Sequence, residues 1–298
     1  MTSTYQIAID LGGTSLRTAL IENKQTIKQI KTIPTPASAE EGIKKITEMI
    51  DSFGNHQAET IGCGAPGPLD PWNGVILDPP NLPGWHDFAF KKELEAASGL
   101  PVTLDNDANA AALAEHQLGA GKHASSMIYI TISTGIGAGI IIGNSLLTGA
   151  LGAAGEVGLM RIGSGESPSP KNKNWEQIAS GTALKEKAVE LYGGSSHAGE
   201  LFEAYRENQT EAVQVLDPII EYQAAGIANI YLTINPELIV LGGGVIQHNP
   251  FLVQVLEQRI NEYVYKSLKG KCLTVQAEFE GNAGVIGAGL LSSTVRLG

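Results

Sequence analysis

The chain has 298 residues, 43% of them hydrophobic, and a formal charge of −11. That length fits two domains, and the apolar fraction is ample for a core. An acidic chain without a basic cluster argues against nucleic acid and anionic membrane as partners.

Two distant cysteines, Cys63 and Cys272, make neither a disulfide framework nor a zinc site. No signal peptide precedes the first strand, and no run reaches the roughly 18 apolar residues of a membrane span. A soluble, cytoplasmic protein is the expectation.

In chain order, residues 5–17 read as a strand with Ile7 and Ile9 alternating, then the turn Asp10-Leu11-Gly12-Gly13-Thr14. Two adjacent glycines suit positive φ, and the N–H groups of such a turn can nest an anion. Thr14 adds a hydroxyl, and Asp10 stands where a Mg²⁺ or its water would lie if that anion were a nucleotide phosphate. Residues 16–21 and 26–33 complete a meander that Pro34 and Pro36 end. A helix spans 40–53, a short strand 59–64, and a hairpin 72–77 turns at Asn73-Gly74. Residues 78–85 hold three prolines, which rule out regular structure and stiffen a loop presenting Asn81.

Residues 88–98 form an amphipathic helix, and 101–104 a strand. The run Asp105-Asn106-Asp107 then opens an alanine-rich helix. One N-cap needs one polar residue, and three stand here. A carboxylate at a helix N-terminus stays ionised, as a general base for a hydroxyl must at neutral pH. The helix ends at Leu118-Gly119-Ala120-Gly121, the expected domain boundary.

The second half repeats the pattern. A strand over 127–133 runs into the turn Thr134-Gly135-Ile136-Gly137-Ala138-Gly139, and 140–142 returns as a strand. Two such hairpins facing one another would hold a phosphate chain from both sides. Residues 149–160 are rich in glycine and carry one acid, Glu156. Residues 162–174 read as a polar surface loop. Helices are expected over 182–191, 196–208 and 211–234, with Pro218 at a join inside the last. The strand from Leu238 runs into Gly242-Gly243-Gly244, a platform for a nucleoside ring. A helix over 251–264, a strand over 273–279 and a small-residue helix over 281–291 finish the chain.

In this order and spacing, the motifs resemble the ROK family of bacterial sugar kinases, within the actin-like ATPase superfamily. Asp10–Thr14 resembles that family's first phosphate motif, Ser133–Gly139 its second, and Gly242–Gly244 its adenosine motif. Ala65-Pro66-Gly67 and Ala283-Gly284 look like its connecting segments. The resemblance implies an α/β chain with two ribonuclease-H-like lobes around a central cleft, residues 1–117 plus 284–298 against 118–283. It implies ATP-dependent phosphorylation of a hexose at the 6-hydroxyl, with Asp107 as general base. Asn81, Asn106, Asp107, Glu156 and Glu176 would hold the sugar. ATP would lie along Gly12, Gly13, Thr14, Thr134, Gly135, Gly243 and Gly244, with Mg²⁺ near Asp10 through water, in a homodimer.

The chain departs from that family at two places. Leu159 stands where the family carries a histidine, and no cysteine precedes Glu176 where a zinc cluster is usual. A zinc site needs about four N or S ligands, so none is expected. An apolar Leu159 suits a sugar substituted near carbon 1 or 2, such as N-acetylmannosamine or a β-glucoside. Outside the enzymes, a sugar-sensing regulator is the alternative. Its relatives carry a DNA-binding head, whereas here the first strand starts within a few residues of Met1.

Overall fold

The computed structural model describes residues 3–54, 57–162 and 173–298. Its first elements are β1 (Tyr5–Leu11), β2 (Ser15–Glu22), β3 (Thr26–Pro34), α1 (Ala39–Asp51), β4 (Ala58–Ala65), β5 (Leu69–Asp70) and β6 (Val75–Ile76). α2 (Phe90–Ser98), β7 (Val102–Asn106), α3 (Asp107–Gln117), β8 (Met127–Ile132), β9 (Ile136–Ile142) and β10 (Ser145–Leu147) follow. Next come α4 (Trp175–Ala179), α5 (Gly181–Tyr192), α6 (Ala198–Arg206), α7 (Thr210–Ile234) and β11 (Leu238–Gly242). The last are α8 (Gly244–His248), α9 (Phe251–Tyr263), β12 (Thr274–Gln276), α10 (Ala283–Leu290) and β13 (Arg296–Leu297). Most of the expected surface loop over 162–174 lies outside the described residues.

The chain divides into two units, Met1–Ser125 with Gly139–Gly155 and Gly281–Gly298, and Ser126–Ala138 with Glu156–Glu280. Beside 118–125 and 281–283, the expected second lobe, 118–283, differs by including 139–155. That segment belongs to the first unit for a steric reason. A Cβ on Gly139 would stand 2.4 Å from the Ala112 Cβ and 2.6 Å from the Ala108 oxygen, so β9 leaves its turn and lies directly on α3. β10 then pairs with β13.

In the first unit, a five-stranded sheet runs β3-β2-β1-β4-β7, antiparallel at β3 and β2 and parallel from β1 to β7. β1 is covered on both faces, so its Ile7, Ala8 and Ile9 are all fully buried. One face packs on α1, α2 and Trp85. The other meets α10, where small residues bring backbones together. A Cβ on Gly62 would lie 1.8 Å from the Ala288 oxygen, and one on Gly287 1.6 Å from the Ala110 oxygen. The close packing expected of residues 283–289 is thus a contact of α10 with β4 and α3.

In the second unit, β11 lies parallel between β8 and β12. The strand expected over 273–279 shortens to β12. α7 runs unbroken through Pro218 instead of joining two helices there. Trp175 is fully buried against this helix at Gly226, where a Cβ would sit 2.3 Å from the indole.

Because Gly287 abuts a backbone oxygen that cannot rotate away, Gly287→Ala is expected to destabilise by about 1–3 kcal/mol. The urea midpoint should fall. Gly281→Ala, whose Cβ would meet nothing within 4 Å, should leave it unchanged.

Candidate active site

The first unit gathers its chemistry at the carboxyl ends of its parallel strands, the usual place for ligands in α/β sheets. Asp10 pairs in register with Gly64, and Gly64 with Asp105, so the two acids lie two strands, about 10 Å, apart. The three polar residues at the head of α3 have separate tasks. Asp105 is fully buried. Its Oδ1 accepts from the Asn106 N–H (2.7 Å) and from the Asn109 amide (2.8 Å), and its Oδ2 lies 3.2 Å from the Arg296 guanidinium. Asn106 is the N-cap, its oxygen accepting from the Ala108 N–H at 2.8 Å. Only its amide nitrogen is left to serve a ligand hydroxyl. Asp107, half-buried at the first helical position, also accepts from the Ala108 N–H, at 2.7 Å.

Gly12 and Gly13 correct one expectation: neither has positive φ. Gly13 is needed for closeness, because its Cβ would stand 3.0 Å from the Asn81 Cβ and 3.1 Å from the Asn81 oxygen. The turn is tied down by Thr35, whose hydroxyl donates to the Gly12 carbonyl (2.6 Å) and whose N–H donates to that of Thr14 (3.2 Å). The proline loop is anchored by buried Leu82 and Trp85, the latter donating from Nε1 to the Pro36 carbonyl at 3.1 Å. Exposed Asn81 is thereby fixed beside the exposed Thr14 turn.

Asp10 has a half-buried carboxyl. Burial pushes its pKa up, and the Arg17 guanidinium, 3.4 Å away, pulls it down by less. Arg17 also donates to the Gly281 carbonyl and to the Asn282 oxygen. A carboxylate whose charge is only partly compensated fits a hydrated divalent cation. Among the described residues, no group of three or more His, Cys, Asp or Glu could hold a metal ion by itself.

In the second unit, the turn after β8 is shorter than expected: β9 begins at Ile136, leaving Ser133, Thr134 and Gly135 as the loop. Glu176 is built into it. Its Oε2 accepts from the Ile136 N–H at 2.9 Å, and a Cβ on Gly135 would meet that oxygen at 2.3 Å. Expected to bind sugar, Glu176 thus has one oxygen on the turn and one remaining. The other side of the turn is held by α5: Gly181 donates to the Ser133 carbonyl (2.6 Å) and the Thr182 hydroxyl to that of Thr134 (2.8 Å).

Of the glycines after β11, two are there for packing. A Cβ on Gly242 would strike the Tyr129 hydroxyl at 2.5 Å, and Gly243, with φ +85°, would strike the Ile132 oxygen at 2.5 Å. Gly244 opens on a cavity of about 830 Å³ whose walls include Thr134, Thr182, Lys185, Phe202 and Asn249. Sequence reading missed the last four. They come from α5, from α6 and from the residue after α8, and no local pattern links them.

Glu156 and Glu176 share this unit. Loss of water around Glu156, and secondarily the Glu176 charge, raises the Glu156 pKa. Leu159, in the helical turn Val157–Leu159, is 62% exposed, a large apolar side chain near an acid. In Glu176→Gln, the amide oxygen can still accept from Ile136 while the charge is gone. The Glu156 carboxyl, followed by ¹³C NMR, is expected to titrate at lower pH in that variant. An unchanged midpoint would mean the two carboxylates do not interact.

A family model for the ROK family matches residues 6–295. The glucokinase of Halalkalibacterium halodurans is 33% identical over 319 residues, covering 98% of this chain and 96% of that one. Among solved structures, the ROK hexokinase of Thermus thermophilus superposes with a TM-score of 0.84 at 32% identity, covering 97% of each chain. A ROK family glucokinase of Streptomyces griseus, solved with glucose and AMPPNP, gives 0.82 at 29%, covering 97% of this chain and 99% of that. The α/β fold expected from sequence is the two-lobed, actin-like fold of these kinases. A match over nearly every residue, joined to that identity, places the chain in the ROK family.

Proposed function

We propose that the protein transfers the γ-phosphoryl group of ATP to the 6-hydroxyl of a hexose, glucose first among them. The observation that carries this is the division of labour at the head of α3. Asp105 is bound into the fold and Asn106 caps the helix, while Asp107 stands half-buried at the first helical position, with Asn106 and Asn81 on the same unit to hold sugar hydroxyls. The glucokinase relatives and the glucose complex with an ATP analogue support the same reading.

Asp107 accepts the proton from the sugar O6. The O6–P bond forms as the bond from Pγ to the β,γ-bridging oxygen breaks, and ADP leaves. Such transfers depend on positioning and charge stabilisation rather than covalent catalysis. The turns at Gly12–Thr14 and Ser133–Gly135 supply N–H groups and hydroxyls for the phosphates. Asp10 would hold a magnesium ion through water, and that ion would neutralise phosphate charge. Glu156 and the remaining oxygen of Glu176 accept from sugar hydroxyls.

A second reading rests on Leu159. Its exposed apolar surface favours a hexose carrying an acyl or aglycone group, as in N-acetylmannosamine or a β-glucoside. A coupled ADP assay across glucose, N-acetylmannosamine, fructose and β-glucosides separates the two readings. A sugar-sensing regulator would turn over none of them.

Asp107→Asn is expected to lower kcat by about 10²–10⁴-fold, as loss of a general base does, while glucose binding measured by calorimetry persists. Turnover near that of the unaltered enzyme would remove Asp107 from its role.

A further inference from the structure

Resting on the kinase reading, we infer that Asn249 is the residue that reads the nucleotide base, and that it selects adenine over guanine. Asn249 follows α8 and is only 5% exposed, yet it lines the cavity onto which Gly244 opens. Its Nδ2 donates to the Val245 carbonyl at 2.9 Å. A carbonyl can only accept, so this partner settles which end of the amide is nitrogen. The amide oxygen is therefore the end left for a ligand: an acceptor of a largely buried residue in the wall of a cavity with ample room for a nucleoside.

Adenine carries a donor amino group at N6, whereas guanine carries an acceptor oxygen at the matching position. A buried acceptor paired with the amino group is satisfied. Facing the guanine oxygen, it would be left unpaired beside a second acceptor, and such an orphaned buried group is what lets a site reject an analogue. Glu203 also lines the cavity and also accepts, but it is exposed, so water can satisfy it whichever base is bound. Phe202, 1% exposed, adds apolar surface that suits any purine and so cannot discriminate. Among the described polar side chains that line the cavity, Asn249 is the buried one, and its chemistry differs between the two bases.

The amide also caps α8, and a purely structural role must be separated from base reading. The test measures binding of ATP, GTP and purine riboside triphosphate, which lacks the N6 amino group, to the full chain by calorimetry without sugar. The unaltered protein is expected to bind ATP about tenfold more tightly than either analogue, the worth of one hydrogen bond. Asn249→Asp keeps an acceptor but loses the donor to Val245, and should keep the preference. Asn249→Leu should bind ATP and purine riboside triphosphate within about twofold of each other.

Equal binding of all three nucleotides by the unaltered protein overturns the inference while leaving the kinase reading intact. So does a tenfold preference surviving in Asn249→Leu. Failure to bind any nucleotide overturns both. Should Asn249→Leu not fold, the ligand series on the unaltered protein and on Asn249→Asp still decides.

Discussion

The buried carboxylate of Asp105 is the constraint on which the first unit depends. A fully buried acid is tolerated only when it is hydrogen-bonded and charge-paired. Here the Asn106 N–H and the Asn109 amide bond to Oδ1, while Oδ2 makes no hydrogen bond and faces the Arg296 charge at 3.2 Å. Burial raises its pKa, and Arg296, Asn109 and the Asn106 N–H oppose that rise. Each partner belongs to a different piece of architecture: the last residue of β7, the first turn of α3, and β13. One carboxylate therefore fixes the corner between strand and helix, and Asp107 is the first residue past that corner. Its position follows from the fold and needs no ligand to establish it.

Glycine serves closeness more than turning in both phosphate-loop regions. Gly13 lets the Asn81 loop rest on the first turn, and Gly135 lets the Glu176 carboxylate reach the second. Each turn is thereby locked to a neighbouring polar residue expected to touch sugar. A shift in either turn moves that residue with it. On the proposed function, the arrangement would couple phosphate binding to sugar binding inside each unit, through contacts too tight to slide.

Much of this was legible in the sequence, for identifiable reasons. Strand, glycine turn and strand are local patterns, and both copies form, although the second turn is shorter than expected because β9 begins at Ile136. The carboxylates and their order along the chain were equally plain. What escaped were features made by distant segments. Positive φ was the natural reason for Gly12-Gly13, yet at Gly13 the reason is Asn81, more than sixty residues away. The cavity proposed for the nucleotide draws its walls from α5, α6 and the end of α8. Asn249 there looks in sequence like any polar residue ahead of a proline. Pro218 misled in the other direction, because the packing of a long helix outweighed one missing N–H.

The first unit takes its last pieces, α10 and β13, from residues 283–297. During synthesis on the ribosome, Asp105 thus waits through nearly two hundred residues for Arg296. Until then the corner that carries Asp107 lacks its counter-charge, and the face of the sheet meant for α10 lies bare. The nascent chain therefore acquires its chemical centre late, after the second unit has left the ribosome, and a cellular holdase would find its clearest target in the apolar face of β1 and β4.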